Sequence, residues 1–144
     1  MKRFIRLVCL MTVMALLLAV PAFAAEEPAP RASHYIMSTC VYLYQNTNTE
    51  FEVWYEVIAL GEMTELGAYS IRVQESLDGE NWTTVRTFYA SDTPSMVREN
   101  AWCHNGYVTY TGISGRYYRA YVTLFAENSS GEGHVAHTSE TLRL

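Results

Sequence analysis

In Glu50-Phe51-Glu52-Val53-Trp54-Tyr55-Glu56-Val57 every odd-numbered side chain is apolar or aromatic. Phe51, Val53, Tyr55 and Val57 fall on one parity; Glu50, Glu52, Trp54 and Glu56 fall on the other. Successive side chains of a strand point to opposite faces. The stretch therefore reads as a strand with one apolar face and one mostly acidic face. Apolar positions on a helix recur every three to four residues, and that spacing is absent here.

The same alternation extends outward. Tyr69, Ile71 and Val73 alternate with Ser70, Arg72 and Gln74, which predicts an inward face for the first three. Tyr118, Ala120, Val122, Leu124 and Ala126 alternate with Arg119, Tyr121, Thr123 and Phe125. Turn chemistry separates the runs at Asp78-Gly79-Glu80-Asn81, at Thr111-Gly112-Ile113-Ser114-Gly115 and at Asn128-Ser129-Ser130-Gly131. Strands are predicted at 35–45, 50–60, 68–76, 82–89, 106–111, 116–126 and 134–143. Residues 90–105 contain Pro94, which breaks a ladder, and read as a long loop or irregular edge. Short strands with frequent turns predict an all-β domain over 35–144, a single antiparallel seven-stranded β-sandwich.

The chain begins differently. Lys2, Arg3 and Arg6 precede an apolar run, Leu7 to Val20, and Ala22-Phe23-Ala24 supplies small residues where a signal peptidase reads. This is the layout of a cleaved secretory signal over residues 1–24. The run of about 14 residues is short of the ~20 that cross a bilayer. Residues 25–34, rich in Pro, Ala and charge, read as a flexible leader. Secretion is the expected destination, with no membrane anchor after processing.

Charge narrows the partners. The whole chain carries −5 from ten basic and fifteen acidic residues; losing Lys2, Arg3 and Arg6 with the signal takes the mature part to −8. An acidic chain repels phosphate backbones, which disfavours nucleic acid, and it repels anionic membrane surfaces likewise. The mature part keeps two cysteines, Cys40 and Cys103. An even count in an exported chain points to a disulfide between them, which would stabilise by roughly 4 kcal/mol in the chain-entropy account. Two free thiols that never meet are the alternative, because sequence carries no geometry.

Tyr69-Ser70-Ile71-Arg72-Val73-Gln74 followed by Asp78-Gly79-Glu80-Asn81-Trp82-Thr83-Thr84-Val85 resembles the central hairpin of fibronectin type III domains. Ala126-Glu127-Asn128-Ser129-Ser130-Gly131-Glu132-Gly133 resembles the close of their penultimate strand. Tyr118 stands near that family's strand-opening tyrosine, two residues too far from Ala126, and Tyr55 sits where the family carries a buried tryptophan. A resemblance over most of the chain is to a family of small exported proteins of Gram-positive gut bacteria. It rests on the signal, Gly61-Glu62-Met63-Thr64-Glu65-Leu66-Gly67-Ala68, Val108-Thr109-Tyr110-Thr111-Gly112-Ile113-Ser114-Gly115, and the segment from Tyr117 to Gly131. That resemblance implies fold and location; it brings no ligand, reaction or catalytic residue.

Chemistry-bearing patterns are few. His134 and His137 form an H-x-x-H, which on a helix would share a face and hold a metal, but on a strand splits across two faces. Glu50, Glu52 and Glu56 would suit a glycosidase acid if a partner and a cleft existed; as a solvated strand face they need neither. No G-x-S-x-G elbow and no phosphate-cradling glycine loop occurs. Asp78-Gly79-Glu80-Asn81 lacks the remaining spaced ligands of a calcium loop and reads as a hairpin turn. Asn81-Trp82-Thr83 and Asn128-Ser129-Ser130 fit the glycosylation pattern but fall at turns. No catalytic residue, metal site or cofactor is predicted.

What remains is aromatic surplus on faces expected to be polar. Trp54 lies between Glu52 and Glu56, Tyr117 and Tyr121 flank Arg119, and Trp102 falls in the irregular segment. Exposed flat rings beside polar groups stack on sugars or grip protein surfaces; outer-face aromatics also occur as ordinary cross-strand pairs. Trp54, Trp102, Tyr117 and Tyr121 are thus the candidate ligand platform. A secreted, non-enzymatic binding module for a glycan or surface protein is the leading expectation. A structural or envelope-associated protein comes second and a small hydrolase third.

Overall fold

The computed structural model describes residues 34–144; the predicted signal, 1–24, and the leader up to residue 33 lie outside them. Seven strands form one curled antiparallel sheet: β1 (Ile36–Gln45), β2 (Glu50–Ser76), β3 (Thr83–Tyr89), β4 (Val97–Thr111), β5 (Tyr117–Asn128), β6 (Gly131–Thr138) and β7 (Leu142–Arg143). The all-β, antiparallel expectation holds, but the strands are not all the predicted ones. Segments 50–60 and 68–76 are two ends of a single 27-residue strand, β2. Within 90–105 a short 3-10 turn, Pro94–Met96, leads into β4, which starts at Val97 rather than at 106. The last predicted strand divides into β6 and β7.

β2 organises everything else. Along one edge it pairs with β1 through Phe51–Ala59 and with β5 through Glu65–Ser76; along the other it pairs with β4 and then β3. A straight strand of this length would run about 85 Å at ~3.3 Å per residue. Yet Thr111 pairs with Glu50 at one end, Tyr117 pairs with Ser76 at the other, and only residues 112–116 connect Thr111 to Tyr117. That link reaches about 20 Å at most. β2 must therefore double back, and its two halves face each other across a common core.

The side chains record the bend. Phe51, Val53, Tyr55, Val57 and Ala59 are buried on odd positions, Leu66 and Ala68 on even ones, then Ile71 and Val73 on odd ones again. The second change of phase falls where the register with β5 shifts between Ala68 and Ser70. Tyr69 is the extra residue of that bulge, so it turns outward and is exposed, contrary to the inward face its alternation predicted. Gly67 sits where the chain around Met96 and Val97 crosses closest: a Cβ there would collide with the Met96 carbonyl and lie 2.9 Å from Val97 Cα.

Rings from both halves meet inside. Phe51 of the first half packs on Tyr118 of β5 at a centroid distance of 5.1 Å, and Tyr110 touches both. Each large apolar side chain fully buried here contributes about 1.5–3 kcal/mol. Their polar ends are satisfied. The Tyr118 hydroxyl donates to Glu75 Oε2 (2.5 Å) and accepts from the Ile113 N–H (2.7 Å), while Arg116 forms an ion pair with the same Glu75. The Tyr55 hydroxyl donates to the Met96 carbonyl (3.0 Å), and His104 Nε2 lies 3.2 Å from both that hydroxyl and the Ser95 carbonyl. These contacts clasp the 3-10 turn to β2 and β4.

Candidate functional site

Strict pairing converts the acidic face of β2 into a cross-strand surface. Tyr42 of β1 is opposite Trp54, and Trp54 is opposite Tyr107 of β4. Phe51, Val53, Tyr55 and Val57 occupy the core, so these three rings all point outward. The Tyr42 and Trp54 rings are nearly parallel, 4° apart in plane and 6.3 Å between centroids; Trp54 and Tyr107 lie 4.7 Å apart at 25°. Tyr42 and Tyr107 are about half exposed, at 47% and 50%. The result is a stacked row of three rings across three strands, strip-like along the face, with Tyr42 and Tyr107 at its two ends.

Carboxylates fix and flank the strip. The Trp54 indole N–H donates to Glu52 Oε2 (2.6 Å), and the Asn46 side-chain amide donates to Glu52 Oε1 (3.0 Å). One carboxylate thus holds the indole from the adjacent row, where Tyr44 and Thr109 pair with Glu52. On the other side Glu56 pairs with Cys40 and Asn105. Trp102 stands apart from the strip. The β2–β4 register is interrupted between Ile58 and Met63, and Trp102 falls in that gap, 61% exposed. With Glu56, Arg98, Asn100 and Asn105 it lines a shallow open depression of about 370 Å³.

Tyr117 and Tyr121 are on the other half of the folded sheet. Tyr121 pairs with Arg72, whose guanidinium lies 4.3 Å from the ring centroid; Arg143 lies 5.2 Å from the Tyr117 ring; between them Arg119 covers Trp82 at 4.4 Å. The four expected platform residues therefore separate into three places: Trp54 in the strip, Trp102 in the depression beside it, and Tyr117 and Tyr121 under guanidinium groups across the core. Tyr42 and Tyr107 are the strip members that sequence reasoning passed over. Each lies out of phase with buried neighbours, Val41 and Val108, and that parity was the available signal.

The expected Cys40–Cys103 bridge is not formed. Both thiols are free and exposed. Cys40 sits on β1 opposite Glu56, Cys103 on β4 opposite Ile58, and β2 runs between them. Two strand spacings put their Cα atoms about 10 Å apart or more, beyond the ~7 Å that a disulfide spans.

The remaining patterns resolve locally. His134 stacks on Phe125 and meets Tyr69 edge-on, whereas His137 Nδ1 lies 3.2 Å from Thr39 Oγ1. Among the described residues no group of three His, Cys, Asp or Glu is placed to hold a metal ion, and no helix is long and apolar enough to cross a membrane. Asp78 receives the backbone N–H groups of Glu80 and Asn81, the Asn81 amide and the Ser76 hydroxyl. Those donors, the Asn81 N–H foremost, hold its carboxyl far below the usual range and close the hairpin between β2 and β3. Comparison with protein families, with curated proteins and with solved structures finds no match.

Proposed function

We propose that the chain is a secreted, non-enzymatic domain that binds saccharide chains on the Tyr42–Trp54–Tyr107 strip. The observation that carries this is the near-parallel alignment of three rings across three strands of one outward face. Such rings offer broad apolar area at low cost in side-chain entropy, with a polar edge available for hydrogen bonding. The C–H face of a pyranose packs on the surface left exposed at the two ends of the row, Tyr42 and Tyr107. Glu56 and the Asn105 amide, one row away, accept from and donate to its hydroxyls. The hollow beside the strip is shallow and open, which favours a polymer lying across the surface over a small substrate enclosed for chemistry.

The doubled-back sheet supports the finer reading of a two-layered sandwich of the fibronectin type III kind. The signal-like residues 1–24 support secretion. The second reading, a structural protein of the cell envelope, is favoured by the opposite charges of the two outer faces.

Titration calorimetry with short β-linked glucose, N-acetylglucosamine and mannose oligosaccharides tests the proposal. Binding of at least one series is expected, weakened tenfold or more by Trp54→Ala or Tyr107→Ala and unchanged by Trp82→Ala. No binding of any series, or full binding by Trp54→Ala, would overturn it.

A further inference from the structure

Each outer face of the folded sheet carries an aromatic patch, and the two patches are oppositely charged. On the β1–β2–β4 face the paired rows carry Glu50, Glu52 and Glu56, and among the described residues no Arg, Lys or His enters those rows. Over the three outward rows from Tyr117 to Tyr121 the β2–β5–β7 face carries Arg72 beside Tyr121, Arg119 beside Gln74, and Arg143 beside Tyr117, with no Asp or Glu in those rows; Glu127, opposite Glu65, stands three rows further along. The core lies between the faces, since Phe51 from one half meets Tyr118 from the other. They therefore look in opposite directions.

From this we infer that a second copy of the chain docks head to tail, its arginine face on the glutamate face of the first. The charges are opposite in sign, and both patches present aromatic rings: Trp54, Tyr42 and Tyr107 on one, Tyr117, Tyr121 and Trp82 on the other. A guanidinium approaching the strip meets both carboxylates and the negative faces of aromatic rings, two attractions for the same cation. The mature net charge of −8 repels two copies at long range. At physiological ionic strength charges separated by more than ~8 Å are screened, so the local match between faces governs the contact. The two patches differ, so the contact is heterologous and each copy keeps one free face; copies add in an open stack rather than close as a pair. Stacking covers the ring strip in every copy but the terminal one, so assembly and saccharide binding compete. The inference stands on the charge pattern and does not need the saccharide proposal.

Sedimentation velocity of the mature protein over a concentration series, with two double variants, tests this. Glu50→Gln/Glu56→Gln neutralises one face and spares Glu52, which holds the indole; Arg119→Gln/Arg143→Gln neutralises the other. The wild type is expected to sediment as a growing series of oligomers, shrinking as salt is raised from about 0.15 M to about 1 M. Each double variant alone associates at least tenfold more weakly, with an unchanged circular dichroism spectrum. An equimolar mixture of the two stops at a heterodimer, because one native glutamate face and one native arginine face remain to pair. A wild type monomeric at all concentrations, variants that associate as well as the wild type, or a mixture that forms no heterodimer would each overturn the inference.

Discussion

The indole of Trp54 lies over the ring of Tyr107 at 4.7 Å while its N–H is held by Glu52 at 2.6 Å, so one side chain is fixed by two strand rows at once. Stacking sets the plane of the indole and the carboxylate sets its rotation within that plane. A surface ring fixed in this way meets a ligand without first losing rotamer freedom, which is a cost of about 0.5–1.5 kcal/mol for a mobile side chain.

Removing that carboxylate isolates its role. Glu52→Ala should lower stability by only about 1 kcal/mol, the net worth of a partly exposed hydrogen bond to a charged group. It should raise the mobility of the indole, read as a fall in the steady-state fluorescence anisotropy of a Trp82→Phe/Trp102→Phe background. An indole equally rigid without Glu52 would show that stacking alone fixes it.

Gly67 lies against a crossing backbone segment, Met96–Val97. Gly67→Ala forces its Cβ into the Met96 carbonyl and against Val97 Cα, both backbone and both unable to rotate away. The expected loss is about 3 kcal/mol or more by urea denaturation. Gly61→Ala meets nothing within 4 Å and should change stability by less than about 0.5 kcal/mol.

Those two glycines also mark where the sequence was hard to read. Gly61-Glu62-Met63-Thr64-Glu65-Leu66-Gly67 has the glycine and polar content of a loop, yet it is the bend of β2, kept extended by Ala101, Glu99, Arg98 and Val97 pairing alongside. No local pattern reveals that support. Residues 97–105 escaped for a related reason: only Ala101 in that stretch of β4 is buried, so hydrophobic alternation has little to mark. Where one face is fully buried, as in Phe51–Val57 and Tyr118–Ala126, the period of two was plain. The strip itself depends on register between strands distant in sequence. Trp54 stands out in the sequence as an apolar residue among glutamates, but its neighbours Tyr42 and Tyr107 are set by pairing.

Stability should have a defined pH window. Burial pushes the His104 imidazole below its ordinary 6.5, with the Arg98 charge adding to the effect, against the opposing hydrogen bond to Ser95. The unfolded chain therefore binds that proton first as pH drops, and stability falls below about pH 6.5. Burial pushes the Tyr118 hydroxyl from 10.0 up to about 12, with its bond to Glu75 acting in the same direction, and burial raises Tyr55 as well. The unfolded chain loses those protons first as pH rises, so stability falls from about pH 10 toward 12. Melting temperature across pH 5–11 checks both limbs. Tyr118→Phe should flatten the alkaline limb and His104→Gln the acidic one; limbs unaffected by these changes would assign the window to other groups.

The thiols make a chemical prediction. Both cysteines of the folded, unreduced protein made from residue 25 onward should react with a maleimide, adding two labels by mass spectrometry. Cys40→Ser and Cys103→Ser should each shift stability by less than about 0.5 kcal/mol. An intramolecular bridge would instead block both labels, and its removal would cost roughly 4 kcal/mol.

The most direct test of the saccharide strip is a titration followed by the indole N–H resonances of the three tryptophans, Trp54, Trp82 and Trp102, in 15N-labelled protein made from residue 25 onward. With an oligosaccharide that binds, the Trp54 indole and the backbone amides of Tyr42 and Tyr107 are predicted to move together along one binding curve, while Trp82, across the core, stays still. Movement centred on Trp82, or no movement at Trp54 at saturating saccharide, would contradict it.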